Sequence, residues 1–111
     1  IGDPAGVGPE LCLRLVREPR VLDKCTPVLF GDAGVLTAVS EFCSLPAPPP
    51  AIPYSDWQTR CSELSEPAVV DLGAMDLAAL KVGWADAATG RASYKYIEAA
   101  IAAAMAGWTA P

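Results

Sequence analysis

The sequence predicts an α/β fold with parallel strands, and three observations predict it. A glycine-rich turn, IGDPAGVGPE at residues 1–10, feeds a proline-led helix start. A short apolar run, TPVLF at Thr26 to Phe30, is closed by Gly31-Asp32 and followed by a second helical pattern. A further apolar run, AVVDL at Ala68 to Leu72, comes before a long helical segment. Strands that alternate with helical segments are joined by crossovers, which makes them parallel neighbours.

Each element has a local reason. Pro9 suits a first helical position because its missing N–H would be unpaired there anyway. Glu10 then complements the positive end of that helix. Leu11, Cys12, Leu15 and Val16 recur at helical spacing and predict its buried face, with Pro19 as the stop. TPVLF reads as a buried strand, and Ala33 to Phe42 as the second helix. Residues 44–57, SLPAPPPAIPYSDW, carry five prolines between Pro46 and Pro53 and predict a stiff surface connection. Within it, Ala51 to Tyr54 is a candidate edge strand. A proline-rich ligand for another domain is the competing reading. Ala68 to Leu72 reads as a strand, and Gly73 to Ala88 as irregular. From Thr89, the candidate N-cap, the pattern is helical. Tyr94, Ile97, Ile101, Ala104 and Met105 form its predicted core stripe, and Gly107 its stop.

Composition narrows the function. A chain of 111 residues holds one small domain, and an apolar content of 52% suffices for a core. The net charge of −5 excludes the basic face that nucleic acid demands and argues against anionic membrane. No apolar run approaches the roughly 20 residues of a membrane span. There is no histidine, so the commonest general base near neutral pH and the commonest transition-metal ligand are missing. Cys12, Cys25, Cys43 and Cys61 form no C-x-x-C pair, which excludes zinc-ribbon and thioredoxin readings. Two disulfides are one reading of the four, and buried reduced thiols in a cytoplasmic protein are the expected one.

The candidate chemistry sits in turns. IGDPAGVGPE is neither a G-x-G-x-x-G fingerprint nor a P-loop, since Leu11 follows Glu10 and no Gly-Lys-Ser/Thr is present. It still presents backbone N–H groups at a helix N-terminus. A bare turn would use the glycines equally well. Asp3 could bind a cation, orient a ligand or cap its own turn. Asp32 follows a strand, where open α/β sheets place ligand-facing residues; helix capping is the alternative. Lys81, Asp86, Thr89, Arg91 and Ser93 lie on the approach to the last helix, where either an anion or ordinary capping would account for them. Tyr94 reads as core. Trp57, Trp84 and Trp108 share no spacing and suggest no stacking platform.

Residues 2–10, GDPAGVGPE, resemble the opening signature of the 4-hydroxythreonine-4-phosphate dehydrogenases of vitamin B6 synthesis. PVLFGDAGVL at Pro27 to Leu36, GRASYKYIEAAIAAAMAG at Gly90 to Gly107, and Thr109-Ala110-Pro111 resemble later family landmarks, in family order. The resemblance covers the whole chain but only the first third or so of a family member. It implies part of a two-domain, three-layer α/β/α fold like that of the isocitrate and isopropylmalate dehydrogenases. Residues 1–111 would be the N-terminal, incomplete portion of one domain, inactive by itself. The resemblance also implies a cytoplasmic homodimer, NAD, and a divalent metal (zinc, magnesium or cobalt) held by downstream histidines. The implied reaction is oxidation of 4-phosphooxy-L-threonine. The metal polarises the C3 oxygen while hydride leaves for NAD, and the resulting 3-keto acid loses carbon dioxide.

By analogy with the GDG-x-GPE turn of related dehydrogenases, Gly6, Val7 and Gly8 are the implied cofactor-side residues. Asp3 and Thr109 are the implied substrate-side residues. No catalytic or metal-ligating residue is expected within this chain. The sequence departs from the family at Gly107-Trp108-Thr109, which leaves no room for the apolar strand that usually precedes T-A-P. Two competing readings stand beside this one. The substrate could be another four-carbon phosphorylated hydroxy acid, such as an erythronate phosphate, or the chain could be a non-catalytic remnant or binding module.

Overall fold

A computed structural model describes residues 1–110 and shows an α/β fold on a parallel sheet. The strands are β1 (Val28–Gly31), β2 (Ala51–Pro53) and β3 (Ala68–Asp71), in spatial order β1-β3-β2. Both pairings are parallel: Leu29 lies opposite Val69, and Ile52 opposite Val70. The α-helices are α1 (Gly8–Leu15), α2 (Pro19–Leu22), α3 (Ala33–Phe42), α4 (Tyr54–Arg60) and α5 (Ala87–Met105).

Successive strand residues point to opposite faces of a sheet. Leu29 and Val69 therefore join one core, with Leu13, Val16, Val35, Leu36 and Val39. Phe30, Val70 and Ile52 join the other, with Trp57, Ala99 and Ala103. Helices cover both faces, so the central strand reads as a continuous apolar run. Phe30 and Trp57 meet edge to face, with ring centres 6.2 Å apart. Helix α5 packs against β1 and serves both cores, sending Ala92 and Tyr96 to the first and Ala99 and Ala103 to the second.

Two helix faces differ from expectation. The inward side of α1 holds Pro9 and Leu13, continued by Val16 just beyond its end. Leu11 and Leu15 are 56% and 45% exposed. Spacing alone could not choose between these two overlapping apolar stripes. On α5 the buried face is Thr89, Ala92, Tyr96, Ala99 and Ala103, while Tyr94, Ile97, Ile101 and Met105 face solvent. Small alanines let the helix approach the sheet closely, and the bulky stripe lies on the other side. Tyr96, not Tyr94, is the core tyrosine.

The ends of elements differ too. Pro19 opens the short α2 and does not merely stop α1. Asp86, not Thr89, is the N-cap of α5. Thr89 is the third residue of a reciprocal capping box: its N–H donates to the Asp86 carboxylate, and its hydroxyl accepts from the Asp86 N–H, both at 3.0 Å. Residues 44–50 carry no regular structure and lead into β2 at the sheet edge, with Pro53 at its end. Pro111, the last residue of the T-A-P segment, lies outside the described residues.

Candidate functional site

Strands β1 and β3 end side by side, with Gly31 opposite Asp71. Asp32 follows β1 and is only 3% exposed. One carboxylate oxygen accepts from the Ala74 N–H at 2.8 Å and the other from the Met75 N–H at 2.6 Å. The carboxylate thus fixes the loop after β3. It makes no capping bond to its own helix α3. That cap comes from Asp71, whose Oδ1 accepts from the Ala33 N–H at 3.1 Å and the Gly73 N–H at 3.3 Å. Asp32 is therefore a buried structural anchor for that loop.

Tyr96 enters this corner from α5. Its hydroxyl is buried without a hydrogen-bond partner among the described residues. Burial, then the nearby carboxylates of Asp32 and Asp71, push its titration well above the ordinary phenol value. Its approach to Asp32 strengthens that shift but does not meet hydrogen-bond geometry.

The glycine-rich turn lies beside β1, where the Ile1 nitrogen donates to the Phe30 carbonyl at 2.9 Å. Asp3 organises it: its carboxylate accepts from the Ala5 N–H at 2.9 Å and its carbonyl from the Gly6 N–H at 3.0 Å. The second oxygen of the carboxylate accepts from the Thr89 hydroxyl at 3.3 Å, which ties the turn to α5. The Gly83 N–H adds a tie, donating to the Ala5 carbonyl at 2.7 Å. At Gly8 a β-carbon would collide with the Ile1 carbonyl, so glycine there serves a close backbone approach. Gly6 and Val7 are exposed, and no hydrogen bond among the described residues engages the N–H of Val7 or Gly8. The turn therefore leaves two unengaged donors at the start of α1.

The start of α5 offers no comparable opening, because the Asp86 carboxylate already occupies it. Glu10 pairs with Arg14 on the exposed side of α1, at 2.8 Å. Thr109 lies at the other end of the molecule. It lines an open apolar groove of about 680 Å³ with Thr26, Pro27, Val28, Trp57 and Ala104. Asp3 touches the first turn of α5, and Thr109 follows its last; the 19 residues between those ends span roughly 28 Å. The two residues are not brought into one site within this chain. Among the described residues no group of three or more His, Cys, Asp or Glu could hold a metal ion. No helix of the described residues is long and apolar enough to cross a membrane.

No family profile matches the chain. Two comparisons are informative. The chain is 35% identical over 107 residues to a Clostridium botulinum protein named "Putative D-threonate 4-phosphate dehydrogenase", covering 96% of this chain and 31% of that protein. It is similar over 96% of its length to the crystal structure of a 4-hydroxythreonine-4-phosphate dehydrogenase from Burkholderia phymatum, at 28% identity and a TM-score of 0.77. This chain is a relative of the threonine-4-phosphate dehydrogenases. A Xylella fastidiosa 4-hydroxythreonine-4-phosphate dehydrogenase adds 49% identity over 55 residues, which is 47% of this chain and 16% of that enzyme. The chain spans about a third of the length of the relatives that it matches throughout.

Sequence reasoning passed over the roles of Asp71 and Tyr96. Asp71 had a signal, since AVVD ends as VLFGD does, in an aspartate at the end of an apolar run. Nothing local marked Tyr96 over Tyr94 as the core tyrosine.

Proposed function

We propose that this chain forms part of an NAD-dependent dehydrogenase for a four-carbon hydroxy acid phosphorylated at C4. The supporting observation is the match over 96% of the chain to a relative bearing a 4-phosphate dehydrogenase name. The turn at residues 2–8 fits the cofactor side. Gly6 and Val7 are exposed, and the Val7 and Gly8 N–H groups have no acceptor among the described residues at a helix start, which suits an anionic or amide group. Asp3 holds that turn in shape, so its contribution here is to orient the donors. When bound, NAD supplies the hydride acceptor. Among the described residues no cluster of carboxylates or thiols suits a divalent metal, so its ligands belong to the rest of the protein in this reading. Thr109 as a substrate-side residue requires surroundings that this chain does not supply. A homodimer in the cytoplasm belongs to the same reading.

Two substrates compete. 4-Phosphooxy-L-threonine follows from the sequence signature and from the name of the structural neighbour. A threonate-type 4-phosphate is favoured by the names of the relatives that match nearly the whole chain. The two differ at C2, where one carries an amino group and the other a hydroxyl. The intact gene product should be offered each compound, and erythronate 4-phosphate, with NAD and a divalent metal. NADH formation and carbon dioxide release with one of them supports the reading. Turnover of none of them sinks it.

A further inference from the structure

We propose that the free edge of β1 binds a fourth strand, formed by residues that precede Ile1 in the intact protein and paired in parallel with Val28–Gly31. One face of that strand fills the apolar groove between β1 and α5. A relative that matches 96% of this chain extends well beyond it, since the chain covers 31% of that protein. Such a longer polypeptide is the one premise shared with the proposed activity.

β1 stands at one end of the sheet order β1-β3-β2 and pairs on one side only. The Pro27 and Gly31 carbonyls accept from Ala68 and Leu72, so they point toward β3. Backbone groups alternate along a strand, so the N–H and C=O of Val28 and Phe30 point to the opposite edge. One of these four groups is engaged: the Phe30 carbonyl accepts from the Ile1 nitrogen. The other three have no partner among the described residues.

The Ile1 contact has the register of a parallel pair. In such a pair a residue donates to the carbonyl just before its partner, as Ala68, opposite Val28, donates to Pro27. Ile1 donates to Phe30, which sets it opposite Gly31. Its side chain agrees. A β-carbon on Gly31 would strike it, and it packs on the first core, the face that Leu29 joins. Antiparallel pairing would set Ile1 opposite Phe30, whose face is the second core. Residues ahead of Ile1 therefore run back along β1. By alternation the first and third of them lie beside Phe30 and Val28 and face the second core. The groove of about 680 Å³ lies on that face, walled by Val28 and Phe30 of β1, Trp57 of α4, and Ala100, Ile101 and Ala104 of α5. Unpaired ladder groups beside an apolar groove suit an extended apolar segment. The turn at residues 2–8, α1 and α2 then form the crossover that parallel neighbours need.

The test uses the intact gene product and hydrogen exchange read at single residues. In the proposed register the Phe30 N–H donates to the carbonyl of the second residue ahead of Ile1. Its exchange should be at least about a hundredfold slower than in an unstructured peptide. Exchange at the unstructured rate overturns the inference. Ala104→Glu puts a carboxylate in the groove and should speed Phe30 exchange about tenfold, while Leu29, whose N–H faces β3, changes less. Equal changes at the two amides, or no change at either, overturn it. A crystal structure of the same protein identifies the occupant. A parallel strand built from the residues ahead of Ile1 supports the inference. The segment after Ala110, a second copy of the chain, or solvent along β1 overturns it, as does a gene product with no residues ahead of Ile1. Turnover of the phosphorylated hydroxy acids is measured separately, so failure here leaves the dehydrogenase reading standing.

Discussion

Asp32 and Asp71 exchange duties across neighbouring parallel strands. Asp32 follows β1 and holds the loop after β3 through Ala74 and Met75; Asp71 ends β3 and holds the start of α3 through Ala33. Each carboxylate accepts from the backbone of the other strand's continuation, and Asp71 also from Gly73 of its own. The reciprocal arrangement locks the two loops that border the glycine-rich turn.

Unequal losses follow from unequal burial. Asp32→Ala leaves one buried and one part-buried N–H group without acceptors and should cost about 2–4 kcal/mol. Asp71→Ala removes one partly exposed cap and should cost about 1 kcal/mol. Urea denaturation of both variants checks the ranking; equal costs would contradict it.

Gly8 and Gly6 should separate stability from binding. Gly8→Ala places a methyl group against the Ile1 carbonyl and should destabilise by about 1–3 kcal/mol. At Gly6 the nearest atom to an added β-carbon is the Asp3 carbonyl oxygen, at 3.4 Å, so Gly6→Ala should melt near wild type. If Gly6 lines the cofactor site, the same variant weakens NAD binding in the intact protein without lowering its melting temperature.

Thr89→Ala removes both the Asp3 tie and half of the capping box, at a cost of about 1–2 kcal/mol. Thr89→Ser keeps the hydroxyl and should recover most of that loss. Thermal unfolding followed at the α-helical circular dichroism band reads both.

Tyr96 gives a pH prediction with a definite sign. Its folded form stays protonated above the ordinary phenol value of 10.0. Below that pH both states hold the proton, and the group adds no pH dependence. Above it the unfolded chain loses a proton that the folded chain keeps, so stability falls as pH rises. Tyr96→Phe should remove that alkaline loss. Near neutral pH it should be close to neutral or stabilising, because the buried hydroxyl has no partner to lose. Stability measured from pH 8 upward decides it; an undiminished alkaline decline in the variant refutes the assignment.

The two sides of α5 should respond oppositely to substitution in this chain. Ala103→Leu forces extra volume against the sheet and should cost about 1–3 kcal/mol. Ile97→Glu acts on a side chain that is 53% exposed and should change stability by no more than about 0.5 kcal/mol. Chemical denaturation of the two variants compares them directly.

By itself the sequence determined the three strands and helices α1, α3 and α5 in order, but not the short helices α2 and α4. TPVLF, AVVDL and the span of α3 declared themselves through local apolar runs and turn residues. The nine-residue signature indicated the relatives before any coordinates. Tertiary structure decided which faces turn inward. On α5 an alanine row and a bulky apolar row compete, and only the close approach to β1 selects the alanines. It also decided the fate of the polar groups. Asp32, Asp71, Thr89 and Asp3 find partners 38 to 86 residues away, and Gly83 finds Ala5. Such pairings depend on how strands and loops converge in space, and hydrogen bonds reach only a few ångströms, so neither residue type nor local spacing encodes them.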